Sequence, residues 1–177
     1  MIFQKTKIKG LYIIVPEIKA DKRGYFTRIF CKDELEKNGI NFDIKQSNLS
    51  LTIKKNTIRG LHFQKNSKSE AKIVRCLRGE IYDVAVDLRK NSPTYRQWLS
   101  VKLNNDNKKM LLIPKGFAHG FQTLTDNCEA EYFMSEFYDP EESFGVRWDD
   151  PLLNINWPNN NPFLNERDAS WPLLIEK

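Results

Sequence analysis

Apolar residues in this chain come in short runs, without the 3.6-residue rhythm of an amphipathic helix. Residues 10–16 (GLYIIVP) and 24–30 (GYFTRIF) are compact runs rich in β-forming side chains. Residues 48–53 alternate polar and apolar, as a strand with one buried face does. Residues 71–77 (AKIVRCL) and 80–88 (EIYDVAVDL) flank Arg78-Gly79, and the pair reads as a hairpin or meander. Further strands are predicted over 97–103, 109–113, 120–124 and 129–137. Only 32–38 has a helical look, and it is short. Short strands recurring about every ten residues, broken by Gly, Pro and Asn, predict an all-β sandwich or barrel.

Composition narrows the class without changing it. A chain of 177 residues suits one well-buried domain, 1–177, and is short for two. Forty per cent hydrophobic and 29% charged residues are ordinary for a globular protein. The net charge of +5 favours anionic ligands, but Lys and Arg are dispersed. The densest local groups are Lys54-Lys55 and Lys108-Lys109, which read as solvated surface, so no nucleic-acid partner is expected. Cys31, Cys76 and Cys128 are odd in number and widely spaced, with no CxxC pair and no secretory signal. Free thiols in a reducing cytoplasm follow. No apolar stretch approaches the ~18 residues that cross a bilayer, so no membrane association is expected.

The candidate chemistry concentrates in Arg59-Gly60-Leu61-His62-Phe63-Gln64, which holds one of the two histidines. An imidazole moves protons near neutral pH, because its unperturbed pKa is about 6.5. A guanidinium three residues upstream makes the segment a base beside an anion-binding group. The other histidine follows a Pro-x-Gly turn in residues 113–121 (IPKGFAHGF), which resembles the second signature of cupins, small jelly-roll barrels with an internal cavity. The first cupin signature carries an HxH pair and a Glu as metal ligands. Its equivalent here, residues 79–87 (GEIYDVAVD), has no histidine. A catalytic metal takes about three strong protein ligands, so no metal is expected.

Four segments together, RGLHFQ, AKIVRCLRGEIYDVAVDLRKNSPTY, IPKGFAHGFQTL and WDDPLLNINWP, resemble the dTDP-4-dehydrorhamnose 3,5-epimerase family. The likeness runs over residues 10–174. It implies a cupin jelly-roll barrel (double-stranded β-helix) with short peripheral helices. It also implies a homodimer that exchanges N-terminal strands, a nucleotide-linked 4-keto-6-deoxy sugar as substrate, and no cofactor. In such a sugar the C4 ketone acidifies the C3 and C5 protons. Removing one gives an enolate, and reprotonation on the other face inverts the centre. The site needs a base, a stabiliser for the enolate oxygen and an acid, each positioned acid or base being worth about 10²–10⁴ in rate.

The resemblance assigns these roles residue by residue. His62 is the base, and Asp168 is its carboxylate partner, which from local sequence alone would be a loop charge. Lys72, inside an apolar strand, stabilises the enolate oxygen. Tyr132 is the general acid, and His119 lines the sugar pocket. Arg23 and Arg59 hold the pyrophosphate, for which a guanidinium fork is suited. Gln46 and Asn48 contact the nucleoside, Tyr138 stacks on the base, and Arg167 stands beside Asp168 where the family often has lysine.

Three positions depart from the family pattern. Arg28 replaces the Glu of an Asp-x-Arg-Gly-x-Phe-x-Glu element, Ser143 falls near a second acidic position, and Leu49 replaces a frequent histidine. The expected reaction is cofactor-independent inversion of C3 and C5 in dTDP-4-dehydro-6-deoxy-D-glucose. The alternatives are inversion of one centre in a related dTDP-, CDP- or GDP-linked sugar, and a non-catalytic cupin that binds a nucleotide sugar.

Overall fold

The computed structural model describes residues 1–175. In chain order the elements are β1 (Ile2–Lys5), β2 (Tyr12–Val15), β3 (Ile18–Asp21), β4 (Gly24–Thr27), α1 (Lys32–Lys37), β5 (Gln46–Thr52) and β6 (Ile58–Gln64). A 3₁₀ turn (Asn66–Lys68) precedes β7 (Lys72–Arg78), β8 (Glu80–Asp87), β9 (Trp98–Asn104), β10 (Met110–Ile113), β11 (Phe117–Thr123), β12 (Cys128–Met134), β13 (Ser143–Gly145) and α2 (Glu166–Ala169). Antiparallel ladders join the strands into a six-stranded sheet, β1-β2-β10-β7-β12-β5, and a five-stranded sheet, β13-β6-β11-β8-β9, with β3 and β4 as a separate hairpin. The all-β jelly-roll expectation holds, short helices included.

Strand parity explains the layering. Successive side chains point to opposite faces. On β7, Val74 and Cys76 enter a core shared with Ile81 and Ala85 of β8, Phe117 and Phe121 of β11, and Ala130 of β12. That core fills the space between the sheets. Ile73, one position out of phase, packs with Ile14, Met110 and Phe133 under Leu35 of α1. On the other sheet Val84, Val86 and Ala118 pack beneath Val146, Leu153 and Trp157 of the C-terminal segment. The central strands of both sheets are therefore covered on both sides, and β8 and β11 are buried along nearly their whole length.

One expectation is corrected. Arg78-Gly79 does not close a hairpin, because β7 pairs with β10 and β12 whereas β8 pairs with β11 and β9. The segment is a corner at which the chain passes from one sheet to the other. Gly79 makes it with φ +74°, and a Cβ there would fall 2.5 Å from Thr125 Oγ1 and 2.7 Å from Cys128 Sγ. The near-continuous burial of both strands, rather than clean alternation, is what distinguishes a sandwich corner from an open hairpin.

Candidate active site

β6 and β11 place the central residues. The ladder pairs His119 with His62 and Phe121 with Arg59, so β6 spends three steps where β11 spends two. The extra residue is a bulge, a device that re-aims side chains beside active sites. It puts both Arg59 and His62 on the wall of one cavity, although regular alternation would send them to opposite faces. Close approach of the two strands is possible because Gly60 meets Gly120, where a Cβ on Gly60 would lie 2.5 Å from Gly120 Cα.

The cavity has a volume of about 250 Å³. The five-stranded sheet supplies Arg59, His62, His119 and Phe121 to its wall; the six-stranded sheet supplies Ser50, Lys72 and Tyr132. Around α2, Asn165, Arg167 and Asp168 close one end. Seven of the sequence-predicted residues thus meet here: Arg59, His62, Lys72, His119, Tyr132, Arg167 and Asp168.

His62 Nε2 lies 2.6 Å from Asp168 Oδ1, and Gly60 N–H donates to Asp168 Oδ2 at 3.2 Å. Asn165 accepts the Asp168 backbone N–H at 2.7 Å, which fixes α2 at its first turn. Burial pushes the Asp168 carboxyl up, but the hydrogen bond and charge of His62 and the Gly60 N–H outweigh it, so its pKa is lowered. An ionised carboxylate only accepts, so His62 Nε2 carries the proton and Nδ1 keeps a lone pair in the neutral ring. The Trp171 ring stands edge-on to the imidazole at 6.2 Å, and the Arg167 guanidinium lies 5.0 Å above the same tryptophan.

Two more basic groups also back onto buried carboxylates. His119 Nε2 is 2.7 Å from Asp83 Oδ1, and Asp83 is fully buried. Lys72 Nζ is 2.9 Å from Glu70 Oε1, both side chains being nearly inaccessible. Burial pushes the Tyr132 phenol up, and the charge of Arg59 offsets part of that shift, so Tyr132 is a protonated donor at neutral pH. Arg59 itself donates Nε–H to Thr52 Oγ1 at 2.8 Å and Nη2–H to the Leu51 carbonyl at 3.1 Å.

The remaining predicted residues lie outside this wall. Gln46 and Asn48 share the inward face of β5 and hydrogen-bond each other at 3.3 Å; Gln46 Oε1 accepts the Tyr138 N–H at 2.8 Å. These three form one group along an edge strand. Arg23 is on the β3–β4 hairpin, with its guanidinium on Asp21 at 2.6 Å and its side chain 90% exposed. Ser50, Phe121, Asn165, Asp83 and Glu70 were not singled out from sequence. Ser50 and Phe121 follow Asn48 and His119 by two residues, and that parity was the available signal. Among the described residues no group of three or more His, Cys, Asp or Glu side chains is disposed to hold a metal ion.

Comparison with known proteins places this geometry. The sequence profile of dTDP-4-dehydrorhamnose 3,5-epimerase matches residues 5–176. The dTDP-4-dehydrorhamnose 3,5-epimerase of Methanothermobacter thermautotrophicus is 44% identical over 98% of this chain and 95% of its own length. The Bacillus anthracis dTDP-4-dehydrorhamnose 3,5-epimerase, solved with TDP and PPi bound, superposes with a TM-score of 0.94 at 42% identity, covering 97% of this chain and 98% of that one. The Legionella pneumophila dTDP-6-deoxy-D-glucose-3,5-epimerase, solved in complex with dTDP-4-keto-L-rhamnose, superposes with a TM-score of 0.91 at 40% identity, covering 97% and 91%.

Proposed function

The chain belongs to the dTDP-4-dehydrorhamnose 3,5-epimerase family of isomerases, and from that premise we propose that it inverts C3 and C5 of dTDP-4-dehydro-6-deoxy-D-glucose to give dTDP-4-dehydro-L-rhamnose without a cofactor. The observation that carries the reading is a histidine on one sheet, paired with the α2 carboxylate of Asp168, and a protonated phenol on the other sheet, lining the same cavity. Proton removal and proton return then come from different walls, as inversion requires.

His62 Nδ1 takes the proton from carbon, and Asp168 stabilises the imidazolium that results. The developing charge on the C4 oxygen is met by the Lys72 ammonium, with His119 lining the same cavity from the other sheet. Tyr132 delivers a proton to the opposite face of the enolate. Arg59 and Arg167 serve the pyrophosphate, while Gln46, Asn48 and Tyr138 take the nucleoside along the inner face of β5.

Arg23 does not line this cavity, and we read it as serving the ligand of a second copy in a homodimer. Ile18, Tyr25 and Phe26 of its hairpin, Leu49 and Leu51 on the outer face of edge strand β5, and Ile53 just beyond that strand are apolar and exposed, which fits an interface between copies. Three free cysteines favour a cytoplasmic location, and among the described residues no helix is long and apolar enough to cross a membrane.

The test is proton exchange in heavy water with dTDP-, CDP- and GDP-linked 4-keto-6-deoxy sugars. Deuterium at both C3 and C5, fastest with the dTDP sugar, is the expected result. Deuterium at one carbon assigns a single-centre epimerase, preference for CDP or GDP moves the nucleotide assignment, and no deuterium anywhere refutes the enzyme.

A further inference from the structure

Two of the three buried carboxylates behind the cavity back onto imidazoles. The third, Glu70, backs onto a lysine whose proposed role needs no proton relay. A buried ion pair is a poor stabiliser, because desolvating both charges offsets most of their attraction. Its value lies elsewhere, and the contacts show where. Glu70 and Lys72 are two residues apart and share a face, while Ala71 between them packs into the outer core. Ala71 is pinned to the start of the segment after β12, its N–H donating to Ser135 Oγ at 2.7 Å and its carbonyl accepting Ser135 N–H at 3.0 Å.

Each Glu70 oxygen then has its own partner. Oε1 takes the Lys72 ammonium at 2.9 Å, and Oε2 accepts the Gln64 backbone N–H at 3.0 Å. Gln64 closes β6, two residues beyond His62. Its side chain locks that strand end further, donating to the carbonyls of Lys68 and Phe137 and accepting the Asp139 N–H at 2.7 Å. A second tie runs from Lys72 Nζ to the His62 carbonyl at 3.4 Å. A lysine head is a compact charge on a flexible four-carbon stem; here it is bridged through a carboxylate to the strand that carries the base.

We propose that Glu70 is a positioning residue that fixes the Lys72 ammonium relative to His62, so that base and enolate stabiliser keep one geometry across the two sheets. This rests on the reading of Lys72 as the group that meets the C4 oxygen. Glu70 does not touch substrate; its side chain is 2% exposed.

The experiment is a double-mutant cycle of Glu70→Ala and Lys72→Met, with kcat and KM measured on dTDP-4-dehydro-6-deoxy-D-glucose and with Glu70→Gln alongside. Lys72→Met should lower kcat by about 10²–10³-fold. Glu70→Ala should lower kcat by about 10²-fold, the scale of an ångström-sized misplacement, with KM within about threefold. Glu70→Gln offers one acceptor to two donors, so its kcat should fall between, about tenfold below wild type. In the Lys72→Met background either Glu70 change should cost no more than about twofold further, because a group that acts through Lys72 has nothing left to act on.

Losses that multiply in the double variant, a Glu70→Ala enzyme with wild-type kcat, or an effect confined to KM would each overturn the inference. If Glu70→Ala fails to fold, the cycle run with Glu70→Gln carries the same test. Failure of the functional reading looks different: the wild type itself would not turn over, or Lys72→Met would be fully active.

Discussion

Asp87 and Asp168 are both buried aspartates, and they are used in opposite ways. Asp87 ends β8 and is saturated. Its Oδ1 accepts the Arg89 backbone N–H at 3.0 Å and Nε–H at 2.8 Å; its Oδ2 accepts from Arg89 Nη2, Ser92 Oγ and Thr94 Oγ1 at 2.6–2.7 Å. Burial pushes this carboxyl up, but Arg89, Ser92 and Thr94 outweigh it and hold it at about 2. All its donors come from the next seven residues, so the network ties off a loop, which Arg89 Nη2 also fastens to the Lys9 carbonyl at 2.9 Å. Asp168 has two donors, His62 and Gly60, both more than a hundred residues away in sequence. One of them is an imidazole whose other nitrogen remains for chemistry. A carboxylate saturated by local donors stabilises its own loop, whereas a carboxylate with one titratable partner passes its charge on to that partner.

The largest expected effect falls on that partner. His62→Ala should reduce both deuterium wash-in and epimer formation by about 10⁴-fold, the upper range for a positioned base, while its thermal midpoint stays near wild type. A matching loss of thermal stability would mean that His62 belongs to the structural class with Asp87.

The aspartates themselves should separate next. Asp87→Ala leaves Arg89 without its anion, so it should cost about 3–5 kcal/mol of stability, read by urea unfolding, with kcat per folded molecule unchanged. Asp168→Asn keeps the shape and loses the charge that supports the imidazolium, so kcat should fall about 10²-fold with stability changed by less than about 1 kcal/mol. If the two variants show the same signature, the distinction between them collapses.

Acid sharpens the same contrast more gently. The Asp87 pKa is depressed from its ordinary 3.8 to about 2, so its contribution is complete above the ordinary value and is lost as pH falls through the folded one. That contribution is about 2 kcal/mol. The gap between the urea midpoints of wild type and Asp87→Ala should therefore narrow as pH falls from about 4 to about 2. Parallel curves down to pH 2 would contradict the assigned shift.

Strands were legible where parity or a long apolar run marked them, as at β5, β7 and β8, because burial of one or both faces dictates those patterns. β6 escaped because its bulge breaks alternation at Arg59-Gly60-Leu61-His62, at the point where the site is built. The sheet corner at Gly79 was read as a hairpin because pairing partners are a property of the folded chain. The basic residues of the site were legible through their motifs. Asp168 became legible only through the family likeness, and Glu70 and Asp83 not at all, since a carboxylate's partner is set by which strands meet. Arg23 was expected at the pyrophosphate from its motif, yet within one chain it stands on a hairpin away from the cavity wall.

In the proposed reaction, base and acid are different residues on different sheets. The most direct measurement is the ratio of deuterium wash-in to epimer formation in Tyr132→Phe, which keeps the ring and removes only the donor hydroxyl. With His62 intact, wash-in should stay within about tenfold of wild type while epimer formation falls by about 10²–10⁴-fold, because the proton can leave and return on one face only. Epimer formation at the wild-type rate in Tyr132→Phe would contradict the claim and place the second proton on another donor.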